Sequence, residues 1–176
     1  MMKILAEGGL PIVTDQSRTA DEDNPNGYFE LEVVKQLSKG NVEWLDNAGG
    51  KAVKVISALL EHLPTEHSYK VIFMERDVKE ILSSQKKMLE HRNTALTGSD
   101  EEIEQQIRKH LSVVKPWLVR QPNMDVLYLN YNTLMSAPES FCKSIVDFLS
   151  LPLDEGRMIS VPSEQLYRNR IVVEKK

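Results

Sequence analysis

The chain of 176 residues has one cysteine, four histidines and few aromatics, and it has no apolar run long enough to span a bilayer. A lone cysteine excludes an internal disulfide and a cysteine-based metal site. The setting of Cys142, Ser140-Phe141-Cys142-Lys143-Ser144-Ile145-Val146, is that of an amphipathic helix with a small thiol in the core. His62, His67, His91 and His110 lack the paired spacing of zinc ligands, so no metal is expected. The start, Met1-Met2-Lys3-Ile4-Leu5, meets Glu7 and two glycines too early for a signal peptide, so a cytoplasmic location without membrane contact is expected. A net charge of -4 argues against broad nucleic-acid binding while leaving room for a local basic pocket around a small anionic ligand. The phosphate-binding pattern G-x-x-x-x-G-K-[ST] is missing as well. Gly49-Gly50-Lys51-Ala52 imitates it, but it lacks the first glycine and the hydroxyl after lysine, and it precedes a strand instead of following one.

What is present suits a single α/β domain over residues 1–176. An apolar content of 41% allows a sizeable core, and strand-like runs alternate with helical patterns, which favours a mainly parallel sheet. The strands expected are Val53 to Ile56, Tyr69 to Met74 and Asp125 to Leu129. Pro11-Ile12-Val13-Thr14 is a fourth, at an edge or strand start, or else a loop. Asp77 with Glu80 opens a helix reaching about Arg92, Ser99 with Glu102 opens a second, and Ser136 with Glu139 opens a third. Ile103, Ile107, Leu111 and Val114 recur at helical spacing as a core stripe, and Pro116 should kink or end that helix. Lys86-Lys87 and Glu101-Glu102 read as solvated helix surface.

Three segments carry chemistry. Val71-Ile72-Phe73-Met74-Glu75-Arg76-Asp77 is a buried-strand pattern that breaks straight into a helix bearing Ser83 and Ser84. Arg76 offers a planar fork of donors that matches phosphate oxygens, and Ser84 adds a hydroxyl; the alternative is a salt-bridged rim arginine. Asn24-Pro25-Asn26-Gly27 is turn chemistry, and Glu30 follows it in the first turns of a helix. Glu30 is then either an acid favoured by the helix dipole or a proton acceptor. Tyr167-Arg168-Asn169-Arg170 suits an anionic nucleotide with a stackable base, or else is a polar tail.

Taken together, Thr14-Asp15 through Glu30, Lys51 through Ser57, Phe73 through Asp77 with Ser84-Gln85, and Leu166 through Arg170 resemble the bacterial branch of the sulfotransferase family, nearly end to end. The resemblance implies a P-loop NTPase-like parallel sheet flanked by helices. It also implies transfer of a sulfuryl group from 3'-phosphoadenosine-5'-phosphosulfate to a hydroxyl or amine of a small-molecule acceptor. It gives Arg76 and Ser84 to the 3'-phosphate, makes Asp77 a helix cap and puts Arg168 and Arg170 on the phosphate side of the nucleotide. Two departures stand out. The strand and Pro-Lys/Arg-Ser-Gly-Thr loop that hold the 5'-phosphosulfate have no counterpart, and Met1 to Gly9 looks like the end of the helix that follows them, closed by a glycine. The chain is therefore expected to be N-terminally incomplete, lacking the first strand and the loop. Secondly, Lys54-Val55-Ile56-Ser57 stands where many members carry Lys-Thr-His, so the family's histidine base is absent. Glu30 is the first candidate for that base and His62 the alternative. The competing expectation is a noncatalytic nucleotide-binding or interaction module, or an inactive gene remnant.

Overall fold

The computed structural model describes residues 1–18, 20, 21, 24, 27–91 and 98–162. Helix α1 (Met2–Glu7) leads to strand β1 (Ile12–Val13), then to 3-10 helices Glu32–Lys39 and Glu43–Asn47 and strand β2 (Ala52–Val53). A third 3-10 helix, Ser57–His62, precedes β3 (Tyr69–Glu75), α2 (Val78–His91), α3 (Asp100–Val119) and β4 (Met124–Asn130). Helices α4 (Tyr131–Ser136), α5 (Pro138–Leu149) and α6 (Glu155–Ile159) follow. The described strands form two parallel pairs, β1 with β2 and β3 with β4. The fold is thus α/β, a mixture of helices and small parallel sheets.

The β3–β4 pair is the central ribbon, in register from Tyr69 opposite Met124 to Glu75 opposite Asn130. Parallel strands need a long crossover, which α2 and α3 supply. Side chains alternate across the ribbon because the strand period is two. Val71, Phe73, Val126 and Tyr128 pack with Val114 and Leu118 of α3 and with Val34, Leu37 and Leu60 of the 3-10 helices. Ile72, Met74, Leu127 and Leu129 pack with Ile4 and Leu5 of α1, Phe141, Cys142 and Ile145 of α5 and Met158 of α6. Both faces are covered, as parallel ribbons require.

Several local expectations change. β2 pairs only over Ala52–Val53, so Lys54 to Ile56 runs on outside the ladder toward the end of the ribbon. β3 and β4 each run past their expected C-terminal ends by one residue. Asp77 caps α2 through its Oδ1, which accepts from the Lys79 N–H at 2.8 Å, and Ser99 with Glu102 forms a full capping box on α3. Ser136, by contrast, ends α4 and donates its hydroxyl to the Asn132 carbonyl, and α5 opens at Pro138. Proline suits that first position because its missing N–H would be unpaired there anyway. Nor does Pro116 end α3, which continues to Val119. Val114 and Leu118, on either side of Pro116, are both buried, and the burial that the continued helix gives them offsets the lost backbone bond.

Helix α1 does close with a glycine, but the left-handed residue is Gly9, with φ of 93°, and not Gly8. The N–H groups of Gly9 and Leu10 return to the carbonyls of Ala6 and Leu5. Gly8 instead lies flat against α6, where an added Cβ would stand 2.7 Å from Met158.

Phe141 and Cys142 sit side by side in the first cluster, 1% and 0% exposed. Phe141→Ala should lower the free energy of unfolding by about 3–5 kcal/mol in a urea titration, because it empties a filled site. Burial pushes the Cys142 thiol above its ordinary pKa. The folded state then keeps a proton that the unfolded state loses, so the thiol's contribution to stability is whole below about pH 8.5 and declines as pH rises beyond it. In the native protein Cys142 should react with a thiol reagent only as fast as the core opens, which a comparison of native and urea-unfolded labelling rates would measure.

Candidate active site

The register of the central ribbon builds the site. Glu75 and Asn130 are the last paired residues, so the next residues, Arg76 and Tyr131, emerge side by side at the C-terminal ends of the strands. The Arg76 guanidinium lies 4.8 Å from the centre of the Tyr131 ring, a cation–π distance. The Asn130 side chain accepts from the Asn132 N–H at 2.7 Å, which starts α4 at Tyr131 and fixes the ring's direction. From the other side Arg76 Nε donates to Glu80 Oε2 at 3.0 Å. Glu80, on the first turn of α2, is 2% exposed and is the one buried charged residue among those described.

Arg76 and Ser84 both line a cleft of about 1410 Å³ that runs between β2 and the ribbon. The charges around it are one-sided. Lys3, Lys51, Lys54, Lys70, Arg76 and Lys115 line it, against Glu75 as the one carboxylate among the described residues. Glu75 is itself paired with Lys115. A chain of net charge -4 has therefore set six cationic side chains against one carboxylate on the described walls of this cleft, which favours small anions there.

Glu30 stands behind this wall. It precedes the 3-10 helix Glu32–Lys39 and does not lie in its first turns; that helix start is capped by Asp15, whose Oδ2 accepts from the Glu32 N–H at 2.6 Å. The same hydrogen bond, with those from Ser17, holds the Asp15 carboxyl below its ordinary pKa. The Glu30 carbonyl accepts from the Thr14 hydroxyl at 2.8 Å, so its backbone is pinned. The Glu30 carboxylate lies 3.5 Å from Arg18 and 3.4 Å from Lys54. Lys54 Nζ also donates to the Tyr28 carbonyl at 3.1 Å. Lys54 lines the cleft, and Glu30 is not among its lining residues.

His62 Nε2 lies 3.9 Å from a Glu61 carboxylate oxygen and does not line the cleft either. Arg168 and Arg170 fall outside the described residues, as do Pro25 and Asn26 of the turn before Glu30. Sequence reasoning overlooked His110. Its Nε2 is 2.8 Å from the Ser57 hydroxyl, and both residues line the cleft. The stripe of α3 divides: Val114 is buried in the core, whereas Ile107, His110 and Leu111 line the cavity. One clue was available, since His110 falls three residues after Ile107 and four before Val114, a titratable group on an apolar stripe.

Glu80 should be the most sensitive charged position for stability. Glu80→Ala removes a buried carboxylate from a hydrogen-bonded arginine and should cost about 2–4 kcal/mol in chemical denaturation. Lys35→Ala, which breaks the exposed pair with Glu32 at 2.8 Å, should leave the denaturation midpoint almost unchanged.

Comparison with curated proteins and with solved structures returned no match. The model of the sulfotransferase family matches residues 22–155, a span that takes in β2, the whole central ribbon, Arg76, Ser84, Ser57 and His110. With about three quarters of its length matched, the chain belongs to the sulfotransferase family.

Proposed function

We propose that the chain transfers a sulfuryl group from 3'-phosphoadenosine-5'-phosphosulfate to a hydroxyl or amine of a small-molecule acceptor. The observation that carries this reading is the cation-lined cleft that runs along β3 from Tyr69 to Glu75 and reaches Arg76 and Tyr131 at the C-terminal ends of the strands, the usual ligand position in parallel α/β sheets. At about 1410 Å³ it exceeds the usual size of a single-ligand pocket, so donor and acceptor can share it. The donor set fits a polyanionic nucleotide, with an arginine fork, a hydroxyl on the next helix and several lysines.

In this reading Arg76 and Ser84 hold the 3'-phosphate, with Arg76 aimed by Glu80 below and Tyr131 beside it. Lys54 faces the phosphosulfate and offsets the charge that grows on the leaving phosphate oxygen as the sulfur–oxygen bond breaks. Glu30 acts as the counter-ion that holds Lys54 in place, because two cations surround its carboxylate. Arg168 and Arg170 add phosphate-side donors, an assignment that rests on the resemblance alone.

Calorimetry with adenosine 3',5'-bisphosphate tests the nucleotide site. Arg76→Ala should weaken binding about 10- to 100-fold, the loss expected for a charge-assisted hydrogen bond. Unchanged affinity would remove Arg76 from the site. Transfer of labelled sulfate from the full donor to a panel of alcohols and amines tests the reaction. Binding without transfer to any acceptor would favour the noncatalytic nucleotide-binding module.

A further inference from the structure

We propose that His110 is the general base, taking the proton of an acceptor hydroxyl at its Nε2; this rests on the function proposed above. The geometry that carries it is the 2.8 Å contact between His110 Nε2 and the Ser57 hydroxyl, made inside the cleft by residues 53 positions apart in sequence. Here Nε2 meets an aliphatic hydroxyl on the cavity wall. That hydroxyl is the chemical equivalent of an alcohol acceptor, and it shows that such a group reaches Nε2 at hydrogen-bond distance.

Ser57 opens the 3-10 helix that ends the run Lys54 to Ser57, so the pair sits three residues from Lys54 along the chain. With Ser57 as donor, Nε2 carries the lone pair that a base needs. In the reaction the acceptor oxygen takes the place of Ser57 Oγ and attacks sulfur. The new oxygen–sulfur bond forms as the bond from sulfur to the 5'-phosphate oxygen breaks, the electron pair leaves with the phosphate, and the acceptor proton passes to Nε2. No oxidant, reductant or further reactant is needed. Neither Glu30 nor His62 lines the cleft, which leaves them no direct contact with an acceptor there.

The test uses the full chain, adenosine 3',5'-bisphosphate binding and sulfuryl transfer to a simple alcohol. His110→Gln should bind the bisphosphate within about twofold of wild type yet lose about 10²- to 10⁴-fold in kcat, the range for a general base. Lys3, Lys51, Lys54, His67, Lys70, Glu75, Arg76 and Lys115 also line the cleft and ionise. The pH–rate profiles are therefore compared between proteins: the ascending limb should vanish in His110→Gln and persist in Ser57→Ala, whose kcat should change by less than about tenfold. Added imidazole should restore part of the rate to His110→Ala, which a merely structural histidine would not allow. Full transfer with an intact ascending limb in His110→Gln, or a loss in Ser57→Ala as large as in His110→Gln, would overturn the proposal. A wild-type chain that binds bisphosphate but transfers nothing would overturn it too, while leaving the nucleotide site standing. Failure of the wild-type chain to bind bisphosphate would instead overturn the function on which it rests.

Discussion

Parallel pairing of β3 with β4 is the constraint from which the rest of the described structure follows. Two strands side by side and pointing the same way cannot be joined by a tight turn, so the chain must travel the length of the ribbon and back. Helices α2 and α3 make that journey, and the return places the α3 stripe over the face that carries Val71, Phe73, Val126 and Tyr128. The register then decides the chemistry. Because Glu75 meets Asn130, both strands give way to helix at the same level, and Arg76, Tyr131 and the first turn of α2 converge on one spot. A slip of one residue would send Arg76 away from the Tyr131 ring and turn the apolar side chains of the slipped strand to the wrong face.

The Arg76–Glu80 pair joins the stability of α2 to the role proposed for Arg76. A buried carboxylate is costly to desolvate, and a buried pair often stabilises no more than well-packed apolar groups would. Its value here is orientation. Glu80 holds the Nε edge of the guanidinium from within α2, and the aromatic ring of Tyr131 limits its tilt. Lys54 is treated alike, held between the Glu30 carboxylate and the Tyr28 carbonyl. Lysine has no planar fork to fix its direction, so a carboxylate behind it supplies what the side chain lacks.

The sequence revealed those parts that depend on local pattern. Continuous apolar runs announced β3 and β4, Ser99 with Glu102 announced the start of α3, and Asp77 announced the cap of α2. It misled where a distant contact overrode the local rule. Pro116 stays within α3 because Val114 and Leu118 are anchored across the ribbon; Ser136, whose hydroxyl turns back to the Asn132 carbonyl, caps nothing, and α5 opens at Pro138 by a local rule of its own. The Ser57–His110 contact was invisible for the same reason, since no window of sequence holds both residues. Glu30 drew notice by its place after a turn, yet its surroundings come from Arg18 and Lys54, one on either side of it along the chain.

Overall charge and site charge act on different ligands. A net charge of -4 spread over the surface opposes a long polyanion, which must lie against much of that surface at once. A nucleotide with a few phosphates needs only the cleft, which Lys51, Lys54 and Arg76 line and where Lys115 and Glu75 offset each other. Low-dielectric walls strengthen those cations further, since β2 and the ribbon that flank the cleft are largely apolar. Selection by size and charge density thus needs no sequence-reading or shape-reading surface. In the function proposed above, the cations of the cleft meet the phosphates of one nucleotide, while the negative net charge of the chain opposes a long polyanion.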